Sequence, residues 1–411
     1  MYLPRFAVSR IQDLLRGFPA VVVCGARQVG KTTLLRQEFP DWRMVVLDPV
    51  QDVGGARSDP DLFLESHPPP LILDEIQYAP ELIASLKRCI DDHPDRMGQY
   101  ILTGSQQWHV IRNLSESLAG RTGFFDLEGF LLAEQNREQH APSWLHDWLE
   151  DPTSFPARNR TRIPLKLPLL ELLWRGSLPR ACLSDVELVP DVWRGYLRTY
   201  IERDARMMAD LSDWQMFGSF VRLMASLTAR EMNFSQLGRD IGITPQTARR
   251  WLRILEGTFQ WYQVPAFSGN LIKRVSSKPK GYLADTGLAC HMLQLTSPEA
   301  LAGHVAYGQI FETFVAAEIR KLLSLRGRGA ALYHWRSAGG AEVDLILERD
   351  GILYPIEIKG ASNVGRADAS GLNAFRKSYP SLRIAPGLLV APVREMRRLS
   401  DSVVVIPWDS Q

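Results

Sequence analysis

A chain of 411 residues, 45% hydrophobic and 23% charged, is too long for one typical core and too apolar to be disordered or fibrous, so two or three globular domains are expected. Its 48 Lys and Arg against 46 Asp and Glu leave a formal charge of +2, and any nucleic-acid contact must therefore rest on local basic clusters. Cys24, Cys89, Cys182 and Cys290 lie far apart with no CxxC pair, which excludes a zinc motif or disulfide framework and points to a reducing cytoplasm. The start MYLPRFAVSR lacks the pattern of an export signal, and no run approaches the roughly 20 apolar residues of a membrane span.

Residues 19 to about 130 alternate β-rich runs, AVVVCG, MVVLD, PLILDE and YILTGS, with stretches of helix length. This alternation predicts an α/β domain with a parallel sheet and crossover helices over 1–134. Residues 135–163 are polar, proline-rich and poor in period, and read as a linker or irregular insertion. Helical spacing fills 164–230, a short helical unit with strand-like tails occupies 231–298, and 299–411 reads as helix, strands, then a Gly/Ala-rich loop and helix.

GARQVGKT, Gly25 to Thr32, fits GxxxxGK[ST] between the strand AVVVC and the helical TTLLRQEF. Glycines at its ends let the backbone of Gly25, Ala26, Arg27, Gln28, Val29 and Gly30 curl so that N–H groups and a helix N-terminus point at phosphate oxygens. Lys31 then reaches the terminal phosphates, the Thr32 hydroxyl ligates Mg²⁺, and Thr33 continues the cradle. PLILDE ends a buried strand in Asp74, a carboxylate for the metal, and Glu75, a base for the attacking water. The turn YILTGSQQ presents Thr103, Ser105 and Gln106, which read equally as γ-phosphate contacts or as a plain turn. Arg121 in SLAGRTGFF is a candidate arginine finger, in its own subunit or a neighbour's.

GARQVGKTT, DEIQ, LTGS and LAGR together resemble a group of prokaryotic AAA-type ATPases whose P-loop domain is followed by a domain of unknown function. YLRTYIERD, KPKGYLADTGL, GQIFETFVAAEI, AEVDLIL and IEIKG resemble that second domain in order, so the likeness spans nearly the whole chain. The resemblance implies ATP and Mg²⁺ as cofactors. RGSLPR, 175–180, departs from the Gly-Gly-x-Pro turn often found near the adenine in such ATPases, with Ser177 in place of the second glycine and Pro179 as the implied adenine contact.

FSQLGRDIGITPQTARRWLRILEGT, 234–258, reads as two helices around a GIT turn, with Pro245 at the first turn of the second, which is helix-turn-helix spacing; the following strand-like tail supplies a wing. Gln246, Arg249, Arg250 and Arg253 then face DNA, and Lys273, Arg274, Lys278 and Lys280 add a second basic cluster. The other reading is a packing module whose arginines are solvated or meet another subunit. Arg203 and Asp204 in YIERDARMM read as an ion pair, with Arg203 a second candidate finger.

In EVDLILERDGILYPIEIKG the DG dipeptide predicts a two-residue hairpin turn at Asp350 and Gly351, so paired positions sum to 701. That register sets Asp344 opposite Glu357 and Glu342 opposite Lys359. Two opposed carboxylates repel unless a cation or proton lies between them, and Mg²⁺ or Mn²⁺ would turn the cost into a site with Lys359 beside it. The spacing resembles the D…(D/E)xK core of restriction-endonuclease-like enzymes, with Glu312 as the helix carboxylate that often completes it. A solvated sheet face and a nuclease-like scaffold that has lost its chemistry remain alternatives.

The expected protein is a cytoplasmic, oligomeric ATPase that remodels, translocates on or branch-migrates DNA, with a winged-helix unit and a nuclease-like α/β domain after its P-loop domain. A nuclease regulated by ATP and a nucleotide switch acting on proteins or transcription are the competing classes.

Overall fold

The computed structural model describes residues 2–104, 118–157, 160–200, 214–270, 274, 277–327 and 329–411. Ser105, Gln106, Arg203, Asp204 and Lys273 lie outside the described residues.

Strands β1 (Ala20–Cys24), β2 (Arg43–Val46), β3 (Leu71–Asp74), β4 (Tyr100–Gly104) and β5 (Thr122–Asp126) form a parallel sheet in the order β2-β3-β4-β1-β5. Every residue of β1, β3 and β4 is buried, which is why these strands read as unbroken apolar runs rather than alternating ones. Val21, Val23, Ile72 and Ile101 pack with Ile11 and Leu34 on one face, and Val22, Leu71, Leu73 and Leu102 pack with Phe63 and Leu82 on the other. Because β4 lies between β1 and β3, the C-terminal edge of the sheet gathers the ends of three strands, where α/β proteins bind ligands. The sequence patterns anticipate four of these strands and miss β5, whose TGFFD is short and only alternately buried.

In the middle of the chain, helices Phe234–Ile241 and Pro245–Gly257 are joined by three residues. The Asn233 side chain caps the first helix, Gly242 at φ 80° ends it, and the Thr244 side chain accepts from Thr247 N at 3.1 Å to start the second. Trp251 buries the inner face of that second helix between Phe217 and Phe220, with ring centroids 5.5 Å away in each case. Strands β6 (Arg230–Glu231), β7 (Trp261–Val264) and β8 (Lys280–Leu283) form an antiparallel sheet in the order β6-β8-β7.

The C-terminal sheet contains β9 (Ala331–Arg336), β10 (Glu342–Arg349), β11 (Ile352–Ile358), β12 (Arg383–Ile384), β13 (Gly387–Ala391), β14 (Arg397–Ser400) and β15 (Val403–Pro407). Its order is β14-β15-β13-β11-β10-β9, with β12 beside β11. Asp350 and Gly351 take φ 52° and 73°, as a type I′ turn requires, and Leu345 pairs with Ile356 and Leu347 with Tyr354, so the paired positions sum to 701. Helix Tyr307–Ser324 packs Ile310 and Phe311 with Leu345, Leu347 and Ile356, while Leu372 and Phe375 of helix Ser370–Ser378 pack with Ile346 and Leu353 on the opposite face.

The span 135–163, expected to be a linker or irregular insertion, contains a helix, Trp144–Glu150. Trp144, Leu145, Trp148 and Leu149 share its buried face, Trp148 Nε1 donates to Pro386 O at 3.1 Å, and Tyr354 OH donates to Leu149 O at 3.0 Å. One apolar stripe of two turns is too short for its period to stand out among polar and proline neighbours, yet it is enough to dock on the C-terminal sheet. Among the described residues no helix is long and apolar enough to cross a membrane.

Candidate functional site

The loop after β1 curls as the motif demands. Gly25 and Gly30 take φ 149° and 95°, Gln28 takes φ 61°, and helix Lys31–Glu38 begins directly after Gly30. A side chain on Gly25 would stand 2.1 Å from Leu127 O, so backbone approach as well as dihedral angle selects glycine there. The Lys31 ammonium lies inside the curl, donating to Gly25 O at 2.8 Å and Ala26 O at 3.1 Å. Burial pushes its pKa below the ordinary lysine value.

Across the sheet edge, Thr32 Oγ1 donates to Asp74 Oδ2 at 2.7 Å, and the Thr103 hydroxyl donates to Asp74 Oδ1. Thr103 Oγ1 also accepts from Glu75 N at 3.0 Å. Asp74 is buried while Glu75 is half-buried, in the left-handed region at φ 61°, and its carboxylate accepts from Gln77. Thr103, which the sequence leaves open between contact and turn, thus orients both acidic residues.

Two residues around the loop carry no sequence signal. Arg5, in MYLPRF, is buried and donates to Val29 O at 3.0 Å, Glu128 O at 2.7 Å, Gly129 O at 3.1 Å and Glu134 Oε2 at 3.0 Å, fastening the P-loop to the segment after β5. Asp285 Oδ2 accepts from Ser177 N at 2.8 Å and Ser177 Oγ at 2.7 Å, so the departure from a second glycine in RGSLPR is absorbed by a local acceptor. Pro179 lies against the P-loop, its Cγ 3.8 Å from where a Gly30 side chain would begin.

Beside the loop opens a cavity of about 340 Å³ lined by Ala26, Val29, Asp126, Trp193, Gln260 and Tyr262 among others. Asp126 ends β5 next to Cys24 as an exposed residue at the cavity wall, and partial desolvation there, with Glu128 nearby, pushes its carboxyl up to about 6. The residues just beyond helix Pro245–Gly257, Phe259 and Gln260, form one wall, together with Glu256 from its last turn.

The structure brings together Gly25 through Thr33, Asp74, Glu75 and Thr103, and leaves Arg121 out. Arg121 precedes β5 beside Ala20, whose N–H donates to its carbonyl at 3.2 Å, and its guanidinium pairs with Asp91. That is the opposite end of a parallel strand, about 15 Å from the phosphate cradle at ~3.3 Å per residue. Gln246, Arg249, Arg250 and Arg253 are exposed, and none of these arginines forms a salt bridge among the described residues; Arg249 lies 5.1 Å from the Phe234 ring. Arg274 is engaged in packing, bound to Glu348 Oε2 at 2.6 Å and over the Phe267 ring at 4.3 Å.

Around β10 and β11, Asp344 and Glu357 are 4% and 3% exposed, which excludes a solvated face. The cation among them is Lys280, which the sequence grouped with a surface basic cluster: its ammonium lies 2.6 Å from Glu312 Oε1 and 2.8 Å from Asp344 Oδ1. Burial alone would lower the Lys280 pKa, but Asp344 and Glu312 outweigh it and hold the ammonium above its ordinary value. Lys359 pairs with Glu357 Oε1 at 2.6 Å rather than with Glu342, which faces Arg336 at 4.0 Å. Burial and the nearby Asp344 push Glu357 up to about 8 and Glu312 to about 7. Among the described residues no group of three or more His, Cys, Asp and Glu is arranged to hold a metal ion, and a divalent ion does not fit where the Lys280 ammonium bridges two carboxylates.

Residues 17–136 match a family described as an AAA domain, residues 167–299 a domain of unknown function, DUF8612, and residues 307–410 a second, DUF4143. The chain is 28% identical to uncharacterized proteins of Mycobacterium bovis and Mycobacterium tuberculosis over 406 residues, covering 98% of this chain and 83% of theirs. Among solved structures it is similar to a Walker-type ATPase of Pyrococcus abyssi, at TM-score 0.45 and 17% identity over 71% of this chain and 96% of that one. It is also similar to the RuvB Holliday junction branch migration motor of Thermotoga maritima, at TM-score 0.31 and 16% identity over 64% and 90%. The parallel sheet and the P-loop thus lie within the span, 17–136, that matches the AAA-domain family. The span that matches DUF4143 follows it in the same chain.

Proposed function

We propose that the chain hydrolyses ATP and uses the cycle to change its grip on DNA, as an oligomer. The observation that carries the ATP half is the linked set Thr32–Asp74–Thr103–Glu75 beside the curled loop holding Lys31. The Lys31 ammonium, now held by two loop carbonyls, exchanges them for terminal phosphate oxygens, and the loop N–H groups take the remaining negative charge. The Thr32 hydroxyl and Asp74 carboxylate, 2.7 Å apart, are the oxygen donors that would hold Mg²⁺, which supplies neutralisation of charge on the β- and γ-oxygens. Glu75 takes the proton of the attacking water, held for that role by its strained backbone and its N–H bond to Thr103. Pro179, against Gly30 of the loop, supports a contact with a flat base there.

For DNA, the support is the exposed set Gln246, Arg249, Arg250 and Arg253 on a helix whose far end walls the cavity beside Ala26 and Val29. Nucleotide entering that cavity touches the helix that carries the arginines, which gives the two sites a shared element. Arg121, remote from its own phosphates, acts as a finger only in a neighbour's site, which is the reason for proposing an oligomer.

The test measures ATP turnover with and without duplex, single-stranded and branched DNA, with Glu75→Gln as the control. Turnover lost in Glu75→Gln and stimulated by at least one DNA form is expected. Turnover that survives in Glu75→Gln removes the assigned base, and absence of both binding and stimulation by every DNA form removes the DNA half.

A further inference from the structure

Two buried carboxylates, Asp344 and Glu357, and the half-buried Glu312 face two lysines, Lys280 and Lys359, in the C-terminal unit. Glu312 comes from helix Tyr307–Ser324, Asp344 from β10 and Glu357 from β11, whereas Lys280 comes from β8 of the antiparallel sheet in the middle of the chain. The contacts are close and directional: Lys280 Nζ to Glu312 and Asp344, Tyr282 OH to Glu312 Oε1 at 2.7 Å, and Ile358 N to Asp344 Oδ2 at 2.9 Å. Lys280 is 7% exposed, and its strand is held on both edges, by β6 and β7.

A divalent ion coordinated by both Glu312 and Asp344 would occupy nearly the point where the ammonium now lies. Two cations within a few ångströms in a site shielded from water repel strongly, so they exclude one another. Access is not the obstacle. A cavity of about 490 Å³ lined by Arg230, Lys280, Glu312, His334 and Arg336 reaches the Lys280–Glu312 side of the cluster.

We propose that Lys280 is the resident cation of the Glu312–Asp344 pair, so that this pair takes no divalent metal and instead fastens β8 to the C-terminal sheet, while Glu357 is held by Lys359. The consequence is a nuclease-like carboxylate constellation converted into an interdomain bond. Removing one member leaves buried charge uncompensated, which is far more costly than never having had the pair. This inference stands apart from the ATP reading, since none of its residues lines the P-loop.

The test has two arms on the full chain without nucleotide. Mn²⁺ binding is followed by electron paramagnetic resonance for wild type and the neutral triple variant Lys280→Met/Glu312→Gln/Asp344→Asn; identical titrations are expected, and a wild-type Mn²⁺ site lost in the folded triple variant overturns the proposal. In the second arm Lys280→Met lowers the melting temperature by roughly 10 °C or prevents folding, and the neutral triple variant Lys280→Met/Glu312→Gln/Asp344→Asn recovers most of the loss. A Lys280→Met protein as stable as wild type, or a triple variant no better than Lys280→Met, shows that the ammonium is not the bond and overturns the fastening role.

Discussion

Thr103 donates its hydroxyl hydrogen to the Asp74 carboxylate and accepts the Glu75 N–H at 3.0 Å, so one side chain of β4 sets the positions of both acidic residues at the end of β3. Thr103→Val keeps the shape and removes both bonds. ATP turnover is expected to fall about tenfold with little change in KM, as one charged hydrogen bond of about 1.5 kcal/mol implies. Steady-state kinetics check this, and an unchanged kcat removes the orienting role.

Gly25 and Gly30 differ in why they are glycine. At Gly25 an added methyl group meets Leu127 O at 2.1 Å, whereas at Gly30 the nearest atom is Pro179 Cγ at 3.8 Å and only φ 95° opposes it. Gly25→Ala is therefore expected to lower the melting temperature more than Gly30→Ala, whose cost is about 1 kcal/mol of backbone strain. Thermal unfolding of the two variants side by side decides the order.

Asp126 gives a pH signature. Partial desolvation at the cavity wall raises its folded-state pKa to about 6, above the ordinary carboxylate value, so the folded chain holds a proton that the unfolded chain releases. Stability from this group is therefore full at low pH and is lost as pH rises through about 6. Asp126→Asn should leave stability near pH 4 unchanged and raise it at pH 7 by about 1 kcal/mol, a discounted figure because the carboxyl opens onto a cavity that admits water. Denaturant unfolding at the two pH values measures the difference.

The exposed arginines of helix Pro245–Gly257 test the DNA half. Replacing Arg249, Arg250 and Arg253 by Ala should weaken binding to any duplex and reduce the slope of log K against log salt by about 3, one unit for each phosphate no longer neutralised. A variant with unchanged salt slope assigns the arginines to a protein surface instead.

The P-loop was readable because its chemistry is local: eight consecutive residues, Gly25 to Thr32, carry the curl, the ammonium and the hydroxyl, and β1 and the following helix are their immediate neighbours. The β10–β11 hairpin was readable for a similar reason, since Asp350 and Gly351 at positive φ set the register of every pair above them. The helix Trp144–Glu150 and strand β5 escaped because each shows too few periods to rise above its neighbours.

The sequence alone determined the curl of the P-loop, the strand that ends in Asp74 and the β10–β11 register from Leu345–Ile356 to Arg349–Ile352, because strand and turn geometry acts over a few residues. Only the tertiary structure decided which charges meet across the chain. Lys280 reads as one lysine of an exposed basic run, yet its partners are Glu312 and Asp344, 32 and 64 residues onward, and its ammonium becomes the centre of their cluster. Arg121 likewise reads as part of the ATP site and lies instead beside Asp91 at the far end of the sheet. The physical reason is common to both: which partner a charged side chain meets, in the interior for Lys280 and at the surface for Arg121, depends on which distant segments fold against it.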